Sequence, residues 1–248
     1  MSFEFLLPKG YFVDFASTAP PDGPLYAAAA ADAAASGQFQ HVFCGDNTTP
    51  GAQCPNCHKP LLQILSLDLA DPRLNGIRGA HSRFPFLYCW RCNIVTETFY
   101  YRLVESGGVA IVEFARGTDE GLADDVPDYP ESFPVASARL LAMSEDAEEY
   151  VRQLNDDEAF DDSGYPDEIT GLDRCIHQVG GEPYLINGDS YGPVHCPTCG
   201  KSMSLLASLG TQTVDPRGML IVEVNNYVQI IYHYCAACSI VAALNESD

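Results

Sequence analysis

Cys196-Pro197-Thr198-Cys199-Gly200-Lys201 repeats the pattern of Cys54-Pro55-Asn56-Cys57-His58-Lys59, 142 positions earlier. The echo continues downstream. Asp71-Pro72-Arg73 returns as Asp215-Pro216-Arg217. Tyr88-Cys89-Trp90-Arg91-Cys92-Asn93-Ile94-Val95 returns as Tyr234-Cys235-Ala236-Ala237-Cys238-Ser239-Ile240-Val241. The offset drifts only from 142 to 144 to 146. Three landmarks in one order, with slow drift, mark an internal duplication.

The cysteines carry the chemistry of the repeat. A Cys-x-x-Cys turn sets two sulfurs on one side of a tight loop, and two such turns supply a tetrahedral set of four. Cys54, Cys57, Cys89 and Cys92 form one set, and Cys196, Cys199, Cys235 and Cys238 the other. Pro55 and Pro197 stiffen the first turn of each set, and Gly200 permits a positive φ behind Cys199. The spacers hold 31 and 35 residues, long for a zinc ribbon but enough for two strands that bring the pairs together. Two zinc ions per chain are expected, each closed by four thiolates and therefore structural. Four-thiolate iron is the competing occupant. A dithiol redox site would need a βαβ setting, which the sequence lacks. Cys44 and Cys175 stand outside the pairs and read as ordinary thiols. His58, His195 and His233 flank the pairs, but four thiolates leave them only supporting or surface roles. Trp90, inside a knuckle, reads as a packing residue.

Strand patterns fill the space around the knuckles. Leu65, Leu67 and Leu69 alternate with Ser66 and Asp68. Segments 94–103, 109–114, 219–224 and 227–234 are rich in β-branched and aromatic residues, with Gly107-Gly108 and Asn225-Asn226 as hairpin turns. Two helices are predicted. Leu25–Ala35 follows Pro24 and stops at Gly37; Glu145–Leu154 follows an N-cap at Ser144 and places Ala147, Tyr150, Val151 and Leu154 on one face. The fold class is mainly β (α+β): a duplicated β-sheet unit with two four-cysteine, zinc-ribbon-like sites. Residues 1–40 form an N-terminal segment with a helix, 41–118 the first zinc-bearing repeat, 119–168 an acidic connector with a helix, and 169–248 the second repeat. The two sheets are expected to pack as one body.

Charge narrows the function. The 248 residues carry a formal −21, and eight zinc-bound thiolates would take this to about −25. Residues 119–168 hold 17 of the 34 acids against Arg139 and Arg152 alone. Such a field suits a basic protein partner and opposes phosphate binding. Arg73, Arg78, Arg83, Arg91 and Arg102 gather around the first knuckle set and are the support for a nucleic-acid-associated alternative. There is no Gly-x-x-x-x-Gly-Lys, no Gly-x-Ser-x-Gly and no His-Glu-x-x-His, so catalysis is not expected. The N-terminus has no basic stretch before its apolar residues and does not read as a secretory signal, which makes a cytoplasmic address the expectation.

Gly180-Gly181-Glu182-Pro183, then Cys196-Pro197-Thr198-Cys199-Gly200, then Tyr232-His233-Tyr234 resembles the bacterial YwqG-like family, of unknown function. The same order is similar to the programmed-cell-death-2 family, whose members act as dedicated chaperones for a basic ribosomal protein. The resemblance is clearest over residues 172–243 and weaker over 54–135. It implies a shared duplicated β architecture. Acidic charge, structural zinc and the absence of a catalytic motif favour a protein-binding role, as an adaptor, a chaperone or an immunity-type protein.

Overall fold

The computed structural model describes residues 5–15, 39–55, 57–77, 81–89, 98–113, 132–156, 164, 177–185, 192–210 and 228–247. Among the described residues, eleven strands make a single curled antiparallel sheet. They are β1 (Tyr11–Phe15), β2 (His41–Phe43), β3 (Leu62–Asp68), β4 (Arg83–Tyr88), β5 (Phe99–Val104), β6 (Gly108–Glu113), β7 (Ala136–Ala142), β8 (Gln178–Val179), β9 (Ser204–Gly210), β10 (Val228–Cys235) and β11 (Ile240–Ser247). Their order is β4-β3-β2-β7-β1-β8-β9-β10-β11-β5-β6. The expectation of two packed sheets is corrected here: β1 pairs with β7, and β5 with β11, so the repeats join edge to edge.

That order is a palindrome of related strands. Read outward from the β7–β1 pair, β2, β3 and β4 on one side match β8, β9 and β10 on the other. Register makes the match quantitative. Val42 and Phe43 pair with Ser66 and Leu65, as Gln178 and Val179 pair with Ser208 and Ala207. The β3–β4 ladder skips Ile64, and the β9–β10 ladder skips Leu206, its counterpart 142 residues on. In each case the skipped residue's carbonyl accepts a bond from the strand beside it: Cys44 N–H to Ile64 at 2.8 Å, and Gly180 N–H to Leu206 at 2.7 Å. A bulge frees a carbonyl from its own ladder, and both halves use it the same way.

The predicted strands are largely present where described. Gly107 closes the β5–β6 hairpin, its N–H bonded to Val104 O at 2.9 Å. Segments 94–97, 114 and 219–227, the turn at Asn225-Asn226 and the helix Leu25–Ala35 lie outside the described residues. β3 is less alternating than its sequence suggests, since Ser66 is buried with Leu65 and Leu67. Its hydroxyl accepts from Arg83 Nε at 2.8 Å, which satisfies it there.

The predicted helix is α1, Glu145–Asp156. Ser144 Oγ accepts from Ala147 N–H at 3.0 Å, and Glu145, Asp146 and Glu148 complement the dipole in the first turn. Ala147, Tyr150 and Val151 bury against Phe12 and Met143. Glu148 reaches back to Lys9 Nζ at 2.9 Å and to Gly10 N–H at 2.8 Å, which ties α1 to the chain before β1.

The largest core cluster mixes both halves: Phe43, Leu65, Phe84, Phe86 and Tyr101 with Val179, Leu206, Tyr232, Tyr234 and Val241. Phe86 and Tyr232, 146 positions apart, meet edge to face with centroids 4.8 Å apart. Aromatic pairs favour this geometry because a positive ring edge meets a negative face. Among the described residues no helix is long and apolar enough to cross a membrane.

Candidate metal centres

Each first knuckle is a closed backbone loop. In one half Cys54 N–H bonds Lys59 O at 2.9 Å and His58 N–H bonds Cys54 O at 3.0 Å. In the other Cys196 N–H bonds Lys201 O and Gly200 N–H bonds Cys196 O, both at 2.8 Å. The residue after the second cysteine is left-handed in both: His58 at φ 58° and Gly200 at φ 69°. Glycine takes this conformation freely, whereas histidine holds it at some cost in the first half. Ser239, after Cys238, has φ 54°. The loops are anchored below by Leu61 N–H to Ala52 O at 3.0 Å and Met203 N–H to Val194 O at 2.8 Å.

The sulfurs of Cys196, Cys199, Cys235 and Cys238 all lie within 4.8 Å of one another, and so do those of Cys54, Cys57 and Cys89. Cys92, the expected fourth member of the first set, lies outside the described residues. Cys57 and Cys89 Sγ are 3.8 Å apart, and so are Cys199 and Cys235 Sγ. A disulfide would need about 2.05 Å. Four sulfurs each about 2.3 Å from one ion form a tetrahedron with edges of about 3.8 Å. Both clusters therefore suit a shared cation. Tetrahedral all-sulfur sets suit zinc or iron by ligand softness.

The protein environment polarises the second set. Cys199 is drawn down to about 7, first by the backbone N–H of Lys201. Burial pushes Cys235 up to about 12. A divalent cation among these sulfurs would hold them as thiolates together. Cys44 is a buried thiol raised by desolvation and belongs to neither set; Cys175 and Trp90 lie outside the described residues. His58 and His195 are exposed beside the knuckles. His233 is fully buried, and burial lowers it to about 4, so it is a core residue rather than a surface one.

No protein-family model, no curated protein and no solved structure matches the chain.

The duplication reaches further upstream than the cysteine motifs. His41-Val42-Phe43-Cys44-Gly45-Asp46 occupies the place of His177-Gln178-Val179-Gly180-Gly181-Glu182, 136 positions on. Both corners run through two left-handed residues, Cys44 (φ 54°) with Gly45 (82°) and Gly180 (71°) with Gly181 (59°). The Gly-Gly segment thus has a first-half counterpart in Cys44-Gly45. Identity of only His, Gly and an acid across six residues hid it.

Asp71, in the repeated Asp-Pro-Arg motif, has a structural use. Asp68 N–H donates to His41 Nδ1 at 3.1 Å, which leaves Nε2 to donate to Asp71 at 3.1 Å. Arg73 Nε and Nη2 bind the same carboxylate, and Nη1 reaches Leu140 O at 2.8 Å. Burial opposes the charge on Asp71, but bonds from His41 and Arg73 outweigh it and hold the carboxyl well below the usual range. The cluster ties β2, the 3-10 turn Pro72–Ile77 and β7 together.

The arginine patch is largely committed internally. Arg73 is bound to Asp71, Arg83 to Ser66 and Gln40 O, and Arg102 to Thr198 Oγ1 at 3.0 Å. Arg78 and Arg91 lie outside the described residues. On α1, Arg152 pairs with Glu149 and Asp156, while Glu145 and Asp146 stay exposed. Asp157, Glu158, Asp161 and Asp162 lie outside the described residues.

Proposed function

We propose that this chain is a zinc-stabilised protein-binding protein, an adaptor, chaperone or immunity-type protein, that captures a basic protein partner. Two zinc ions per chain are held by Cys54, Cys57, Cys89 and Cys92 and by Cys196, Cys199, Cys235 and Cys238. The sulfur geometry supports the metal half of the reading. All-thiolate coordination leaves no open position, so the metal's role is structural. The observation that carries the partner half is charge: −21 overall, with 17 acids against two arginines in residues 119–168. A field of that sign raises the capture rate of cationic surfaces. The similarity to the programmed-cell-death-2 family fits this reading, and the cytoplasm is the proposed setting. The nucleic-acid alternative loses support because Arg73 and Arg83 are spent on backbone and carboxylate contacts.

The test is recovery of partners from the native host at low salt. A basic protein should co-purify. Neutralising Asp156, Asp157, Glu158, Asp161 and Asp162 together should slow its association, and the loss should shrink as salt rises. An unchanged association rate, or steep salt-dependent binding to DNA or RNA instead, would sink the proposal.

A further inference from the structure

The two cysteine sets are not equivalent in their surroundings. Among the described members of the first set, Cys54 and Cys89 are buried and Cys57 is partly so. All three belong to or pack against the large central core. In the second set Cys199 is exposed and Cys238 half-buried. Cys196 and Cys235 sit instead in a small separate cluster with Val194, Met203, Ile240 and Leu244, against which Tyr100 and Val112 of the first half pack.

That small cluster lies on the seam between the halves. β5 joins β11 only along Ile240–Ala243, beginning two residues after Cys238. Two consecutive β5 residues grip the two knuckles of the second set. Leu103 N–H bonds Ser239 O at 2.8 Å, next to Cys238. Arg102 Nη2 donates to Thr198 Oγ1 at 3.0 Å, between Cys196 and Cys199. Ser239 holds its carbonyl toward β5 from a left-handed conformation, φ 54°. A serine keeps that conformation only where its surroundings enforce it.

We infer that the metal of the second set is the exchangeable one of the pair and clasps the β5–β11 seam, so that its loss releases the seam while the first set stays loaded. This rests on the zinc reading above. Exposure of Cys199 gives a competing chelator a sulfur edge to attack, and the first set offers none as open among its described members. Once the ion leaves, only the end of the β9–β10 ladder and the small apolar cluster hold the Cys196–Cys199 and Cys235–Cys238 turns near each other. The grips on Thr198 and Ser239 then lose their fixed geometry. By linkage, a closed seam in turn strengthens metal retention.

The experiment uses the full chain as purified, with zinc counted first by elemental analysis. A chromogenic chelator such as pyridylazoresorcinol is then added, and release is followed in time. Two phases of one zinc each are expected, separated by roughly tenfold or more in rate, since local opening is easier at the exposed site. Sampling after the first phase with N-ethylmaleimide and peptide mass analysis should find Cys196, Cys199, Cys235 and Cys238 labelled. Cys54, Cys57 and Cys89 should remain unlabelled. Hydrogen exchange at that point should show lost protection over Phe99–Leu103 and Ile240–Ala243, with β3 and β4 still protected. Release of both ions at one rate, labelling of the first set before the second, or a seam that keeps its protection would each overturn the inference. A preparation that neither contains nor takes up zinc overturns the metal reading itself, and the initial zinc count tells that failure from the others.

Discussion

Gly180 and Cys44 sit at equivalent corners in the same left-handed conformation, yet only one can carry a side chain. A Cβ on Gly180 would lie 2.5 Å from Lys9 O and 2.8 Å from Leu7 Cβ. Gly180→Ala should therefore destabilise the zinc-loaded protein by about 2–4 kcal/mol, from strain plus the clash. Gly200→Ala, with nothing within 4 Å of its Cβ, should cost only about 1 kcal/mol. Urea midpoints compare them, and equal losses would contradict the crowding argument. His177 gives a second residue-level prediction. Burial lowers it to about 3, whereas the unfolded chain titrates near 6.5. The unfolded state therefore binds more protons between those values. The stability His177 contributes is complete above pH 6.5 and is lost as pH falls toward 3. The slope is about 1.4 kcal/mol per pH unit for this one proton. His177→Gln should remove that component while thiolate protonation stays common to both proteins. An unchanged slope in the variant would show that His177 is not the group.

At the scale of elements, the first knuckle of each set is a loop of two backbone bonds whose paired cysteines need a partner turn elsewhere in the chain. On the zinc reading proposed above, its folding energy comes from the metal, because the unfolded chain has no preformed site. Cys196→Ser should cost on the order of 3–5 kcal/mol and reduce the zinc content from two to one per chain. Cys44→Ala should cost about 1 kcal/mol and leave both ions in place. Equal, small losses at both positions would break the ligand assignment. The bulges at Ile64 and Leu206 belong to this scale too. Each turns a carbonyl out of its ladder toward the residue that follows β2 or β8, which adds a bond to strands of only three and two residues.

The whole molecule is organised about the two places where related strands meet, β1 with β7 and β5 with β11. The curl brings β5 against β4 without strand pairing among the described residues. The fully buried Tyr101 hydroxyl donates to Pro85 O at 2.8 Å and accepts from Leu87 N–H at 3.2 Å. Tyr101→Phe strips both β4 groups of that partner in a site closed to water. A loss of about 1–3 kcal/mol is expected in urea unfolding. Faster exchange of the Leu87 amide should accompany it, and an unaffected amide would show that the hydroxyl does not hold the curl.

Several features follow from local chemistry and were legible in the chain alone. The clustering of Cys54, Cys57 and Cys89 and of Cys196, Cys199, Cys235 and Cys238 is one, since a Cys-x-x-Cys turn needs only four residues to set its spacing. The cap at Ser144 and the buried face of α1 are another, because helical periodicity repeats within one element. So was the mainly β character of the segments between knuckles. Tertiary structure alone decided that the repeats share one sheet, and that β7, inside the acidic stretch, lies within it between β1 and β2. It also decided that His41-Val42-Phe43-Cys44-Gly45 mirrors His177-Gln178-Val179-Gly180-Gly181, and that Arg73 and Arg83 are spent on contacts within the chain. These depend on pairings between residues far apart in the chain, such as Leu6 N–H with Leu205 O, 199 positions on. A strand of two or three residues carries no period of its own. Its place is set by the carbonyl and amide groups that distant strands leave for it, and those exist only once the sheet has formed.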